Sequence, residues 1–160
     1  MSTIPSGAES AVAPWNEIES LVGRRFVSEW LEISDEARTH FDKASYLDHT
    51  ESPFDPAGYP EGLVEGFHLL ALLDHLVGQV SYVEADAWTG WNYGLDRVRF
   101  TSPVTSSDRV RVAGEITQLQ PRTDGYLVTY DCVMELEGAE RPAMVATWKA
   151  LWSVDEEDEA

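Results

Sequence analysis

Four polar side chains line up in one largely apolar run: Glu65, His68, His75 and Gln79. Their spacing brings them to roughly one side of a 3.6-residue helix, with Asp74 off the line. Carboxylate and imidazole together offer proton transfer near neutral pH, or metal ligation. Metal is not expected, because no compact second cluster of ligands is available and Cys132 is the single cysteine. Two readings of the seam stay open: a pocket lining, or a face toward solvent or a subunit boundary. Just upstream, Asp48 and His49 open the stretch LDHTESPFDPAGYPE, Leu47 to Glu61. Its prolines lack an N–H and push their predecessors away from helical backbone, so it reads as an ordered loop leading into the apolar run. Loops at the mouth of a buried element are common places for chemistry.

The run itself, Gly62 to Val80, reads as a buried helix. Leu63, Val64, Phe67, Leu69, Leu70, Leu72, Leu73, Leu76, Val77 and Val80 leave almost no polar side, which a surface helix would not tolerate. Something must wrap it. Upstream, GRRFVSEWLEI from Gly23 to Ile33 alternates like a strand, and Ser34 is a plausible N-cap, with Asp35 and Glu36 suiting the first turn of a helix to about Tyr46. Downstream, Ser81 to Tyr93 is aromatic and irregular, with the character of a lid or partner contact. Four strands follow: Leu95–Phe100, Arg109–Leu119, a third with Tyr126, Val128, Tyr130, Cys132, Met134 and Leu136 on one face, and Arg141–Val154 with Met144, Ala146, Trp148, Ala150 and Trp152 sharing a face. An antiparallel sheet of these strands needs a layer on its apolar side. The fold expected is α+β, a single domain over 15–154 whose sheet wraps the long central helix at about 62–80. Residues 1–14 are expected to be a disordered arm and 155–160 a solvated acidic tail.

Composition narrows the partners. A net charge of −18, from eleven Lys and Arg against twenty-nine Asp and Glu, argues against nucleic acid. The helix at 62–80 is too interrupted to span a membrane, and the start has neither the basic end nor the apolar core of a signal peptide, so a cytoplasmic protein is expected. Cys132 is expected to be a small buried hydrophobe. Arg97 with Arg99, and Arg109 with Arg111, share strand faces and could meet a phosphate, but pairing with the many carboxylates is the simpler expectation.

The order of segments resembles the MaoC-like dehydratases and (R)-specific enoyl-CoA hydratases of the hot-dog fold over roughly Gly23 to Trp152. ISDEARTHFDKASYLD resembles the family's first helix ending in an aspartate, Phe54-Asp55-Pro56 its Asp-Pro loop, VEGFHLLALL its central helix, and NYGLDRVRFTSPV its most recognisable strand and turn. The resemblance implies acid/base addition of water to an enoyl thioester, or its elimination, with no cofactor. It also implies an aspartate and a histidine five positions later, and backbone N–H groups at the start of the central helix holding the thioester carbonyl.

Carried over by residue, Asp48 takes the aspartate's place and Pro53 the histidine's. Glu65 replaces the histidine before the helix glycine, Gly66. Proline cannot ionise, and a carboxylate beside an oxyanion hole repels an enolate unless protonated or turned away. His49 and His68 are the available substitutes, and Asp48 with Glu65 could form a carboxylate pair suited to isomerisation, cyclisation or dehydration of a polyketide-like substrate. Trp88, Trp91 and Tyr93, with Trp148 and Trp152, are candidates for an aromatic pocket wall. The partners implied are a small-molecule, acyl-CoA or carrier-protein thioester and a second copy of the chain, or another hot-dog subunit supplying the missing histidine. A hot-dog cyclase or isomerase, and a non-catalytic subunit or ligand-binding module, remain as alternatives.

Overall fold

The computed structural model describes residues 9–48 and 58–154. In chain order these form β1 (Ala11–Pro14), a 3-10 helix (Trp15–Leu21), β2 (Arg25–Val27), β3 (Leu31–Glu32), α1 (Asp35–Ala44), α2 (Gly66–Gly78), β4 (Ser81–Glu84), β5 (Trp88–Phe100), β6 (Arg109–Arg122), β7 (Gly125–Leu136) and β8 (Met144–Val154). The architecture is α+β, helices packed against an antiparallel sheet. Its strands run β2-β6-β7-β8-β5, with β3 also on β6, while β1 and β4 form a separate parallel pair. No helix among the described residues is long and apolar enough to cross a membrane.

Alternation in β6, β7 and β8 sets which face is buried. Val110, Val112 and Ile116, then Val128, Tyr130, Cys132 and Met134, then Met144, Ala146, Trp148, Ala150 and Trp152 are all buried, as the period of two requires. Leu69, Leu73, Leu76 and Val77 of α2 belong to the same core. Gly114 lets Phe26 of β2 lie flat on β6: a Cβ there would sit 2.5 Å from the Phe26 ring and 2.7 Å from the Asp131 carbonyl oxygen.

Ser34 caps α1 as the sequence suggests, its hydroxyl accepting from the Ala37 N–H at 3.1 Å. Four boundaries differ from the sequence reading. The central helix begins at Gly66 rather than Gly62, because the preceding backbone is committed to the turn after β5: Val64 N–H donates to the Val104 carbonyl and Ser106 N–H to that of Gly62. The Gly23 to Ile33 segment splits into β2 and β3, which lie on β6 at separate places. The irregular, lid-like reading of Ser81 to Tyr93 gives way to β4 and the first half of β5. Strand alternation is invisible there because most of β5 is exposed and it carries Gly90 and Gly94, so burial cannot write a pattern into it. Finally, Ala11–Pro14 of the expected arm form β1, with Ala11 and Ala13 buried against the domain. The acidic tail lies outside the described residues.

Candidate functional site

The N-terminus of α2 is the centre of the expected site. Glu65 is its N-cap: the Glu65 carbonyl accepts from the N–H groups of His68 (2.9 Å) and Leu69 (3.2 Å), while its carboxylate makes no capping bond. The N–H groups of Gly66 and Phe67 precede the first intrahelical donor, the His68 N–H, which leaves them for an outside oxygen and puts the positive end of the helix dipole beside them. Gly66 is needed for packing, since a Cβ would meet the Phe100 ring at 3.0 Å. Phe100, with Leu63, Val64, Leu69 and the turn Thr101–Val104, completes a groove of about 300 Å³ at this helix end.

His68 is close by in sequence but points elsewhere. It is 8% exposed and its ring lies parallel to Phe41 of α1, with centroids 4.4 Å apart. Burial holds its imidazole below the ordinary value, against an opposing pull from the Asp42 carboxylate. Its Nδ1 has no hydrogen-bond partner. The polar seam therefore divides: His68 is packed between the helices, whereas His75 faces outward and meets the Gln79 amide at 3.0 Å. The turn from His68 to His75 is nearly two full turns of 3.6, so a small drift in facing is enough to separate them around the packed side. Among the described residues no three His, Cys, Asp or Glu side chains group closely enough to hold a metal.

Asp48 is exposed, four residues beyond the end of α1. His49 and Pro53 lie outside the described residues. The aromatic candidates do come together. Trp88 and Trp91 line one cavity, and Tyr93 a neighbouring cleft between α2 and β5. Trp148, whose indole N–H donates to Asn92 Oδ1 at 3.0 Å, belongs to both. Sequence reasoning missed Asn92 and Asp74 as members of this wall. Asp74 had a signal, a carboxylate inside an apolar helix, but it was off the line of the other polar residues.

The paired arginines on strands divide. Arg109 and Arg111 form ion pairs with Glu137 (3.1 Å) and Glu135 (2.6 Å), as expected for an acidic chain. On β5 the shared-face expectation for Arg97 and Arg99 fails, because the register on β8 shifts between Asp96 and Arg99, and Arg97 takes a left-handed conformation with φ 54°.

No family model matches the chain. Individual proteins do, over nearly its whole length. It is 32% identical over 155 residues to nodulation protein N of Rhizobium leguminosarum bv. viciae, spanning 89% of this chain and 92% of that protein. It is 32% identical over 152 residues to 3-hydroxyacyl-thioester dehydratase Z of Mycobacterium tuberculosis (strain ATCC 25618 / H37Rv), spanning 91% and 95%. The solved MaoC-like dehydratase of Rhodospirillum rubrum has the same fold, with a TM-score of 0.64 over 87% of this chain and 97% of that one at 19% identity. The chain belongs to the MaoC-like dehydratase and hydratase family of the hot-dog fold. That membership makes it one of a family of lyase-type enzymes, and gives the groove at Gly66 its interest. In a MaoC-like protein a helix end with free N–H groups is suited to a carbonyl oxygen that gains negative charge during reaction.

Proposed function

We propose that the protein is a hydratase or dehydratase of acyl thioesters, with Asp48 as its acid/base group. The observation that carries the reading is the similarity to a 3-hydroxyacyl-thioester dehydratase over 91% of this chain; Asp48, four residues beyond α1, stands where the resemblance puts that family's aspartate. In the hydration direction the Asp48 carboxylate takes a proton from water as the water oxygen bonds to C3 of the enoyl thioester. The electron pair of the double bond moves onto the thioester oxygen, which the N–H groups of Gly66 and Phe67 receive. The proton held by Asp48 then goes to C2. Glu65 is compatible with this if its carboxylate turns away from the groove. The structural support is that it makes no bond to the helix N–H groups. His68 is packed against Phe41, which leaves His49, adjacent to Asp48 in the sequence, as the remaining substitute for the missing histidine. The test is hydration of a short trans-2-enoyl-CoA by the purified protein, followed by loss of the conjugated chromophore. Turnover that falls by about a hundredfold or more in Asp48→Asn, with an unchanged thermal melt, is expected. Turnover indifferent to Asp48→Asn refutes the assignment.

A second reading, a non-catalytic hot-dog subunit or ligand-binding module, is favoured by two specific observations: Pro53 in the histidine's place, and the burial of His68 away from the groove. Absence of turnover in a correctly folded protein supports it.

The working unit in either reading is a homodimer, with the sheet curved about α2 and joined edge to edge through β5. β5 ends the strand order, and Trp91, Tyr93, Leu95 and Phe100 on it are 65%, 60%, 42% and 48% exposed, with Phe67 of α2 71% exposed. Pairing two β5 edges removes an open strand edge and covers these rings. Sedimentation at micromolar concentration should show a dimer, and a monomer alone would remove this part of the proposal.

A further inference from the structure

Away from the Gly66 groove, the space between α2 and the β5–β8 corner holds a partly open cavity of about 170 Å³, with Asp74 and Trp91 among its exposed lining residues. Five aromatic rings line it, Trp88, Trp91, Tyr130, Trp148 and Trp152, and one carboxylate, Asp74. The rings brace one another: Tyr130 stacks on Trp148 at 5.0 Å and meets Trp152 edge-on at 6.2 Å, and Trp88 meets Trp152 edge-on at 5.3 Å. The bond from Trp148 to Asn92 fixes that indole further.

Asp74 is exposed, and like Asp48, Asp86 and Asp124 it holds no donor among the described residues. Asp35, Asp42, Asp96, Asp108 and Asp131 each hold a donor. Asp74 has no ion pair or hydrogen bond among the described residues, and its charge reaches the buried Tyr130 hydroxyl, whose pKa is raised by burial first and by Asp74 among the lesser causes. A carboxylate without a cation, set in a wall of π-systems, is complementary to a soft cation, because ring faces and carboxylate attract the same charge. A cavity of about 150 Å³ takes one benzene ring, so a single small group fits here. A neutral ring would gain nothing from Asp74, and the net charge of −18 draws cations toward the protein.

We propose that this cavity is a binding site for a quaternary ammonium group. It opens toward a larger apolar cleft of about 380 Å³ that includes Phe67, Leu70, Tyr93 and Leu95, and the two share Asp74, Asn92 and Trp148. Phe67, Tyr93 and Leu95 are also residues that the proposed β5 pairing covers, so the cation is the far end of an acyl chain laid along that cleft at the subunit boundary, an extension that rests on the acyl-thioester and homodimer readings above.

The test uses the full chain at physiological ionic strength and isothermal calorimetry with choline against its neutral isostere, in which carbon replaces nitrogen. Choline should bind at least about tenfold tighter than the isostere. Asp74→Asn should cost choline about tenfold and leave the isostere unchanged, whereas Asp124→Asn, in the β6–β7 turn, should change neither. Equal affinity for the two probes, no binding of either, or an equal loss in Asp124→Asn overturns the site. Enoyl-CoA hydration without choline binding removes this site and leaves the proposed function standing. Choline binding without hydration keeps the site and removes only its extension to an acyl chain.

Discussion

Acidification should weaken the fold through His68, and replacing that residue by leucine should remove the effect. The folded protein holds the imidazole below its ordinary value of 6.5 by burying it against Phe41. As pH falls, the unfolded chain therefore takes up the proton before the folded one does. The stabilising contribution is fully present above about pH 6.5 and is lost as pH falls from there toward the folded pKa, at a limiting slope of about 1.4 kcal/mol per pH unit. Asp42 of α1 opposes this and shortens the window without changing its sign. At pH 7.5 His68→Leu exchanges a ring stack worth about 1 kcal/mol for relief of an unpartnered buried Nδ1 worth about 1–3 kcal/mol, so the two proteins should lie within about 2 kcal/mol. The assay is urea unfolding of wild type and variant between pH 7.5 and about pH 5. Comparing the two cancels the shared effect of protonating the other carboxylates, which relieves repulsion in a chain of charge −18. The variant should gain on the wild type as pH falls. A difference independent of pH refutes the reasoning, and so does one that moves toward the wild type in acid, which would mean that Asp42 holds His68 protonated.

Two other perturbations follow from the packing. Gly114→Ala should destabilise the domain by about 1–3 kcal/mol in chemical unfolding, because the new methyl meets both the Phe26 ring and the fixed Asp131 carbonyl; a change under about 0.5 kcal/mol would show that β2 is free to move. Cys132 is buried, and burial first, with Asp131 adding to it, pushes its thiol up to about 12. A thiol reagent at pH 8 should therefore leave the native protein unmodified and label the urea-unfolded chain promptly, and fast labelling of the native state would contradict the burial.

The core was legible because burial on one face of a strand writes itself into every second residue. Val110, Val112 and Ile116, and the run from Met144 to Trp152, could be assigned to the core side by counting. Ser34 was legible as a cap for a similar reason, since the bond it makes reaches only three residues along the chain. Arg109 and Arg111 pair with carboxylates as an acidic composition favours. The first half of β5 was not legible: an exposed strand has no buried side to enforce alternation, and it is defined by hydrogen bonds to β8, some sixty residues away.

The candidate site divides along the same physical line. The sequence by itself determined the family, through Asp48, the Asp-Pro loop and the glycine that opens the central helix. It also carried the expectation of a departure from that family at Pro53 and Glu65, which can be read without coordinates. Tertiary structure decided what each polar residue on that helix faces. Periodicity aligns Glu65, His68 and His75, but α1 covers only His68, and β5 with β8 brings the rings of Trp88, Trp91, Trp148 and Trp152 round to Asp74. Local spacing fixes the angle of a side chain about its own helix, whereas what lies opposite depends on contacts between distant segments, and those form only when the sheet and helices pack together.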